Sequence, residues 1–256
     1  MPDQGDKTIK LENGYDMTFK NASHKYLVDG EYIIGVSSIL DMLNKPALLN
    51  WKVREVKDNI KVQLEEHLSD DVIQKIFDRA ESRANDKQTN VFSTGKIVHG
   101  LCEKFVKGIS YKEPSDPVIK DCFQKFVKWW NDNGFTLVAS EKIVFLPGGF
   151  AGTLDLLAKD KEGLVWLIDI KTSNGIFVSA FHQVHGYKYA YEKQTGKKID
   201  RMCIVRLPKD GSKIEVRRVV AKQQHHKAFL GLLSAYKSSK LFDEQTKKYK
   251  QQLKKR

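Results

Sequence analysis

The sequence predicts an α/β fold with a central mixed β-sheet flanked by helices, extended by an N-terminal hairpin and a helical arm. Three observations support this prediction. Apolar residues recur at helical spacing before Gly134 and at strand spacing after it. Residues 164–170 are nearly all apolar, which is typical of a central strand covered on both faces. Asp29 and Gly30 separate two short runs of alternating polarity, which is a strong hairpin signal.

The amino-terminal third predicts the hairpin and the arm. Residues 25–28 and 31–34 form the two strands of the hairpin. Ser37 or Ser38 can cap a short helix that Pro46 ends. A second helix is expected to begin near residues 48–51, and charged residues with apolar three- and four-residue steps extend it to about residue 83.

Two amphipathic helices are expected before the sheet. Ser93 or Thr94 can cap a helix over residues 95–107, with Gly108 after its end. Asp116 followed by Pro117 predicts the start of the next helix, which carries a broad apolar stripe and stops before Gly134. Its stripe indicates a core helix.

The remaining elements are predicted from changes in the spacing of apolar residues. Strands are predicted over residues 135–146, 151–158 and 164–170, and a helix over residues 174–196. Residues 202–207 and 214–220 flank the turn residues 209–212 and predict a further hairpin. A last helix over residues 223–236 is expected to precede a basic tail.

Length and charge set bounds on organisation and partners. The chain has 256 residues, of which 41% are hydrophobic, so one sizeable domain is expected. We assign residues 1–240 to that domain, with the hairpin and arm in 1–90 and the catalytic core in 91–240, followed by a basic tail in 241–256. The 44 basic and 32 acidic residues leave a net charge of +12, which favours a polyanionic partner.

Other protein classes are excluded by composition. No apolar run approaches the roughly 20 residues that cross a bilayer, so an integral membrane protein is not expected. The polar, acid-containing amino terminus lacks the features of a secretory signal or a transit peptide, and we expect an intracellular protein. Cys102, Cys122 and Cys203 are too few and too widely spaced for a disulfide framework or a four-thiolate cluster, so buried free thiols are expected.

Five polar residues stand where an α/β core normally has apolar or solvent-facing ones: His99, Asp155, Asp169, Lys171 and Gln183. If residues 151–158 and 164–170 form an antiparallel hairpin in which Ala158 pairs with Leu164, Asp155, Asp169 and Lys171 share one face. In that register the two aspartates are diagonal neighbours, with Cα atoms about 7–8 Å apart.

Two carboxylates this close repel each other unless a cation or a shared proton compensates. Mg²⁺ is the simplest solution, because it binds oxygen ligands and usually completes its shell with water and substrate phosphate. Lys171, two residues after Asp169, would place an ammonium group where it can orient a water molecule or hold a phosphate oxygen. These parts together point to metal-assisted phosphodiester hydrolysis.

The motifs resemble those of a known superfamily. The segments G-T-L-D at residues 152–155, D-I-K at 169–171 and Q-V-H-G-Y at 183–187 resemble the PD-(D/E)XK nucleases. The preceding G-K-I-V-H at residues 95–99 is similar to the RecB-type branch. Leu154 stands in place of the proline of the superfamily name, and the second acid is Asp rather than Glu; both variations occur among its members.

The resemblance implies a restriction-endonuclease-like core and a set of site roles. Asp155, Asp169 and the Ile170 main-chain carbonyl would bind metal, with Lys171 aiding the nucleophilic water. His99 matches the metal-binding histidine that lies upstream in this branch. The remaining implied contributors are Gln183 and Tyr187, which match the Q-x-x-x-Y motif that supports the site and DNA, and Glu141 as an additional acid.

The function implied is a Mg²⁺- or Mn²⁺-dependent deoxyribonuclease. Because the similarity is to compact phage-type and mitochondrial genome-maintenance exonucleases, we expect an exonuclease that works from the ends of DNA or on single strands. A recombination or single-strand-annealing protein is the implied protein partner, and the cytoplasm of a bacterial or phage-infected cell is the implied location. A structure-specific or nicking endonuclease and a non-catalytic, nuclease-like DNA-binding module are the alternatives.

Other polar residues have simpler interpretations. His182 and His185 resemble a metal pair, but lack the four-residue spacing and adjacent Glu of a zinc motif, so a structural or DNA-facing pair is expected. The lysines of the last ten residues could follow a phosphate backbone or form a solvated tail.

Overall fold

The structure is a computed structural model that describes residues 5–21, 23–43, 53–56 and 70–253. It has a mixed α/β architecture with one four-stranded sheet and one five-stranded sheet, which confirms the predicted fold class at that level. Of the predicted second helix and the arm that extends it to about residue 83, residues 48–52 and 57–69 lie outside the described residues.

The small sheet is entirely antiparallel and follows chain order, β1-β2-β3-β4. Its strands are β1 (Lys7–Lys10), β2 (Asp16–Lys20), β3 (Lys25–Val28) and β4 (Glu31–Ile33). Asp29 and Gly30 both have positive φ, at 49° and 86°, as a tight hairpin turn requires. The predicted β3–β4 hairpin is therefore confirmed, but β1 and β2 were not predicted.

Helix α1 (Val36–Leu40) begins earlier than predicted, and neither Ser37 nor Ser38 caps it. The N-cap position is Gly35, which has no side chain that could accept a hydrogen bond from the helix. Gly35 also forms a bridge with Ala151, so pairing with the large sheet fixes the point where the helix begins. Tertiary contacts thus override the local capping signal.

Helix α2 (Asp70–Val106) is continuous, so the predicted helix start at Ser93 or Thr94 is wrong. The residues before Ser93 include Ala, Gln, Lys and Arg, which favour helix, and no proline interrupts them. Gly95 is tolerated inside the helix rather than marking its beginning. The end of the predicted arm and the predicted helix over residues 95–107 are therefore parts of one element from Asp70 onward.

Helix α3 (Pro117–Asn133) agrees with its sequence signals. Asp116 Oδ1 accepts hydrogen bonds of 2.8 Å from Val118 N and 3.0 Å from Ile119 N, so the predicted cap is confirmed. Gly134 ends the helix with a left-handed φ of 60°.

The large sheet has strand order β5-β6-β7-β8-β9. Its strands are β5 (Thr136–Phe145), β6 (Ala151–Lys159), β7 (Val165–Lys171), β8 (Arg201–Arg206) and β9 (Glu215–Arg218). Only β7 and β8 pair in parallel, and helix α4 (Val178–Thr195) connects them. The sheet is mixed, as predicted, and each strand lies within two or three residues of its predicted bounds.

The register of the β6–β7 hairpin differs from the prediction. Ala158 pairs with Trp166 rather than with Leu164. The cause is Asp160, whose N–H donates to the Leu164 carbonyl at 3.1 Å while its carboxylate accepts from Leu164 N at 2.9 Å. These two bonds place Leu164 in the loop, whereas the prediction had placed it at the start of the strand.

Two apolar clusters cover the two faces of the large sheet. One is formed with α1, α4 and the last helix, α5 (Gln223–Leu253), and the other with α2 and α3. A third cluster joins β2 and β3 of the small sheet to Ile143, Phe145 and Ala151 of the large one. All three cysteines are buried and free, as predicted.

Helix α5 continues far beyond residue 236, so the predicted basic tail is helical as far as Leu253. No glycine or proline follows Gly231, and most of the added residues favour helix. Residues 254–256 lie outside the described part of the chain.

Candidate active site

Three acidic residues lie side by side on β5, β6 and β7. The pairs Ser140–Leu156 and Lys142–Leu154 place Glu141 opposite Asp155. The β6–β7 ladder ends at the pair Leu156–Ile168, and one further step in that register brings Asp155 opposite Asp169. The predicted register would pair Asp155 with Leu167, and that pairing is wrong, because Leu157 holds that position. Continued past its last pair, the observed register sets the two aspartates opposite each other rather than diagonally.

The regular alternation of β6 is broken at Asp155. Leu154 packs into the cluster with α4, whereas Leu156 packs into the cluster with α2 and α3. Residues two apart on a regular strand would face the same side. At this break Asp155 Oδ2 accepts a 2.7 Å hydrogen bond from Ile170 N, so a side chain takes the place of a ladder carbonyl. This bond fixes the carboxylate against β7.

Asp169 is the most deeply buried charged group of the site, with 1% of its side chain exposed. Burial raises its pKa to about 7, the neighbouring Lys171 lowers it, and the charge of Asp155 raises it again. Neither carboxylate oxygen has a hydrogen-bond partner of good geometry among the described residues. A buried carboxylate in this state is costly unless a cation approaches it.

Lys171 is the cation nearest to that carboxylate. Its Nζ lies 2.6 Å from Asp169 Oδ2, an ion pair whose angles are poor for a hydrogen bond. Burial lowers the pKa of Lys171, but the charges of Asp169 and Asp155 outweigh burial and hold it above the ordinary value. The side chain is 26% exposed, and the raised pKa keeps the ammonium group charged.

His99 comes from α2 and lies over the strand-borne acids. Its Nδ1 is 3.7 Å from Asp155 Oδ2. Burial lowers its pKa, Asp155 and a hydrogen bond to the Ile170 main chain act to raise it, and Lys171 lowers it. The net lowering favours neutral imidazole, the form that binds metals. Gly95 permits this approach, because a Cβ there would lie 2.7 Å from Thr172 Oγ1.

Glu141 lies at an irregular point of β5, with a left-handed φ of 46° that is rare for a residue with a side chain. Its pKa is raised to about 7, chiefly by burial and then by the charges of Asp155 and Glu103, against the effect of two lysines. The structure thus brings Glu141 within electrostatic reach of Asp155.

Gln183 and Tyr187 lie on α4 beside the acids. Gln183 Nε2 donates a 2.8 Å hydrogen bond to Tyr187 Oη. Burial raises the pKa of Tyr187 well above its ordinary value, with further contributions from Tyr26, Asp169 and Asp155. Gly152 lets the ring lie against β6, because a Cβ there would be 2.6 Å from Tyr187 Cε1.

Sequence reasoning missed Tyr26, which reaches the same region from the small sheet. Its hydroxyl lies 2.9 Å from Thr153 Oγ1, two residues before Asp155. Burial raises the pKa of Tyr26 to about 12, and the charge of Glu141 also raises it. Because 127 positions separate the two partners, no local motif could have indicated this contact.

The geometry defines what the site can hold. In the described part of the chain, no three His, Cys, Asp or Glu side chains are already arranged around a common metal position. Asp155 and Asp169 nevertheless supply adjacent carboxylates, and His99 supplies an imidazole beside one of them. The carboxylate oxygens of Asp169, which are paired with Lys171 but have no well-formed hydrogen bond among the described residues, are hard donors of the kind that Mg²⁺ and Mn²⁺ prefer.

The histidine pair on α4 lies in a second cluster. The His185 ring centroid is 4.8 Å from that of His225 and 5.2 Å from that of His226. His185 is buried, and the charges of His225 act on both it and His182. His185 is therefore an interior residue between α4 and α5. This position agrees with the expectation that His182 and His185 are structural rather than zinc ligands.

No protein-family model matches the chain. No curated protein matches it either. A solved structure described as "Crystal structure of SSO0001" is similar over 79% of this chain and 74% of that chain, with 10% identity and a TM-score of 0.34. This likeness is too distant to define a family. Among the described residues, no helix combines the length and apolar character needed to cross a membrane.

Proposed function

We propose that the chain is a Mg²⁺- or Mn²⁺-dependent deoxyribonuclease. The observation that carries this proposal is the buried carboxylate of Asp169, which is ion-paired with Lys171 but has no well-formed hydrogen bond among the described residues, with the carboxylate of Asp155 fixed next to it. Burial of three interacting charges costs free energy, and such arrangements concentrate at functional sites.

Four groups would hold the metal ion: the carboxylates of Asp155 and Asp169, the imidazole of His99 and the main-chain carbonyl of Ile170. Glu141 is a further acid that can act here, because it already interacts electrostatically with Asp155. The ion when bound supplies Lewis acidity and a more acidic water molecule at neutral pH.

The other side chains have roles of their own. Lys171 places its ammonium group beside the carboxylates, where it can hold a scissile phosphate oxygen and stabilise developing negative charge. Tyr187 stays protonated, because its raised pKa keeps the phenol neutral, and it can donate a hydrogen bond. Gln183 holds the Tyr187 hydroxyl in place and so acts as a positioning residue.

The order of the elements supports a restriction-endonuclease-like core of the RecB type. The histidine of α2 precedes an acid on β6, the D-x-K segment ends β7, and the glutamine and tyrosine follow on α4. The similarity of these motifs to compact exonucleases favours hydrolysis from the ends of DNA. The net charge of +12 suits a DNA substrate.

A time course on three substrates tests the proposal. End-labelled linear duplex, single-stranded DNA and covalently closed circular DNA are incubated with the chain and Mg²⁺ or Mn²⁺, with and without a chelator. We expect short labelled products from linear or single-stranded DNA, none from the circle, and complete inhibition by the chelator.

The alternatives give different outcomes in the same assay. Rapid nicking of the circle would show a structure-specific or nicking endonuclease instead. DNA binding without hydrolysis under any metal condition would show a non-catalytic DNA-binding module. Hydrolysis that the chelator does not affect would contradict the metal-dependent mechanism itself.

A further inference from the structure

A shallow groove of about 650 Å³ runs between the β3–β4 hairpin and α5. Lys25 and Tyr32 line it from the hairpin, and Tyr236, Lys237 and Lys240 line it from α5. None of these residues belongs to the candidate active site. The groove is open along its length, a shape that suits an extended chain better than an enclosed small molecule.

The groove is basic. It contains three lysines and one acid, Glu244. Among the described residues, Lys25 and Lys237 have no carboxylate within ion-pair distance, and Lys240 has only a 3.8 Å contact with Asp243. Lys237 already donates a hydrogen bond to the Gly148 carbonyl, so the ammonium groups of Lys25 and Lys240 are the ones available to a polyanion, which would gain from releasing its counterions.

Aromatic rings alternate with the lysines. Lys25 Nζ lies 5.9 Å from the centre of the Tyr32 ring, and Lys240 Nζ lies 5.5 Å from the centre of the Tyr236 ring. Tyr32 is 52% exposed, so a face of its ring can receive a planar group. Cations interleaved with exposed rings are typical of surfaces that bind phosphates and stack bases of a single strand.

Both walls of the groove are fixed to the segment that leads into β6. On the hairpin side, Ala151 N donates a 2.9 Å hydrogen bond to the Ile34 carbonyl. On the helix side, Lys237 Nζ donates to the Gly148 carbonyl at 2.6 Å, and Phe229 packs against Phe150 with ring centroids 4.9 Å apart. The groove therefore has a defined position relative to that strand.

The strand that follows these anchoring points carries the site. Ala151 begins β6, and Asp155 lies four residues further on. At a rise of about 3.3 Å per residue, the two Cα atoms are about 13 Å apart. One strand, β6, therefore connects the anchoring points of the groove to the carboxylates.

We propose that this groove binds single-stranded DNA and guides it to the active site. The proposal rests on the proposed function, and it adds the substrate form and the path of the strand. An unpaired strand fits better than a duplex, because bases in a duplex are already stacked on each other and cannot lie on Tyr32 or Tyr236.

Charge removal tests the phosphate contacts. The variant Lys25→Gln/Lys240→Gln is compared with Lys128→Gln/Lys198→Gln, whose side chains are 78% and 80% exposed and lie elsewhere. Fluorescence anisotropy with a labelled oligonucleotide is measured in EDTA, so that no cleavage occurs. We expect the groove variant to lower the slope of log Kd against log salt by about 1.4, from about 0.7 per phosphate contact on a single strand. The control variant should keep the wild-type slope, and equal slopes in both variants would overturn the proposal.

Ring removal tests the stacking contacts. Tyr32→Ala and Tyr236→Ala should each weaken single-strand binding about tenfold, while Tyr32→Phe and Tyr236→Phe should bind like wild type. Far-UV circular dichroism checks that each variant is folded. Equal losses for a duplex of the same length would contradict the assignment to single strands, as would unchanged binding in both alanine variants.

The two proposals fail in different ways. If the chain binds single strands through the groove but hydrolyses no DNA, the groove assignment stands and the nuclease assignment is wrong. If it hydrolyses DNA while the groove variants bind like their controls, the nuclease assignment stands and the groove assignment is wrong.

Discussion

Two buried polar clusters among the described residues lie beside α4, and they differ in chemistry. The first joins Asp155, Asp169 and Lys171 and contains opposite charges. The second joins His185 to His225 and His226 and contains groups that repel each other once protonated. Burial raises the pKa of Asp169 to about 7 and lowers that of His185 to about 4.

This difference separates a site for a cation from an interior contact between helices. A carboxylate that is buried without a hydrogen-bond partner is relieved by a positive charge. Neutral imidazoles in contact are stable only while they remain neutral, and a positive charge destabilises them. The acidic cluster is thus suited to metal chemistry, whereas the histidine cluster makes the packing of α5 on α4 dependent on pH.

The largest expected effect is on activity. Asp155→Ala and Lys171→Ala should each lower the rate of DNA cleavage by at least about 100-fold, because each removes a group that stabilises charge at the reacting phosphate. DNA binding should remain, and Asp155→Ala can even raise affinity by removing negative charge near phosphate.

Asp132→Ala is the matched control, because Asp132 is an exposed aspartate paired only with Lys128 on α3. It should cleave at the wild-type rate. Retained turnover in both Asp155→Ala and Lys171→Ala would contradict the assignment of the site.

The next effect is the dependence of stability on pH. His185 has an ordinary pKa of 6.5 and a folded value of about 4, lowered by burial and then by His226, His225, His182 and Lys188. The unfolded chain therefore binds the proton first. The neutral His185 side chain therefore contributes fully to the free energy of unfolding above pH 6.5. As the pH falls toward 4, the free energy of unfolding decreases by up to about 3 kcal/mol.

His185→Phe removes this titrating group and should flatten the curve of unfolding free energy against pH in that window. Urea denaturation at half-unit steps from pH 7 to pH 4 measures both curves. The idea fails if wild type and variant lose the same stability over that range.

Two glycines offer a smaller comparison, one beside each cluster. A Cβ on Gly152 would meet Tyr187 Cε1 at 2.6 Å, and a Cβ on Gly186 would meet the Phe229 ring at 2.7 Å. Each Gly→Ala variant should lose about 1–3 kcal/mol of stability through overpacking.

The two variants should differ in activity. Gly152→Ala displaces Tyr187 and should also lower the cleavage rate, whereas Gly186→Ala displaces α5 and should leave the rate of the folded protein unchanged. Thermal denaturation and initial rates at a permissive temperature test the pair, and equal losses of rate would argue against separate roles for the two clusters.

Local signals predicted the fold where they were strong. Asp29-Gly30 set the hairpin, and Asp116 with Pro117 set the start of α3, because turn and cap chemistry act within a few residues. Strand β1 (Lys7–Lys10) was missed, since three of its four residues are exposed and its pairing with β2 joins segments that no local signal relates. The continuity of α2 through Gly95 was missed because a glycine weakens a helix without ending it.

The site residues could be found from motif order, but their contacts could not. Asp169 and Lys171 are two residues apart, so strand periodicity relates them directly. The pairing of Asp155 depended on Asp160, which closes a loop that no strand pattern indicates. The contacts of His185 with His225 join helices that lie far apart in the sequence, and only the packed core brings them together.

The central claim is that the strand-borne acids bind a divalent cation, and Mn²⁺ binding tests it most directly. Electron paramagnetic resonance measures free Mn²⁺ during titration of the wild type, Asp155→Ala, Asp169→Asn and the control Asp132→Ala. We expect saturable binding in the wild type and the control, and its loss in the two site variants. Absence of Mn²⁺ binding in the wild type, or unchanged binding in both site variants, would contradict the account.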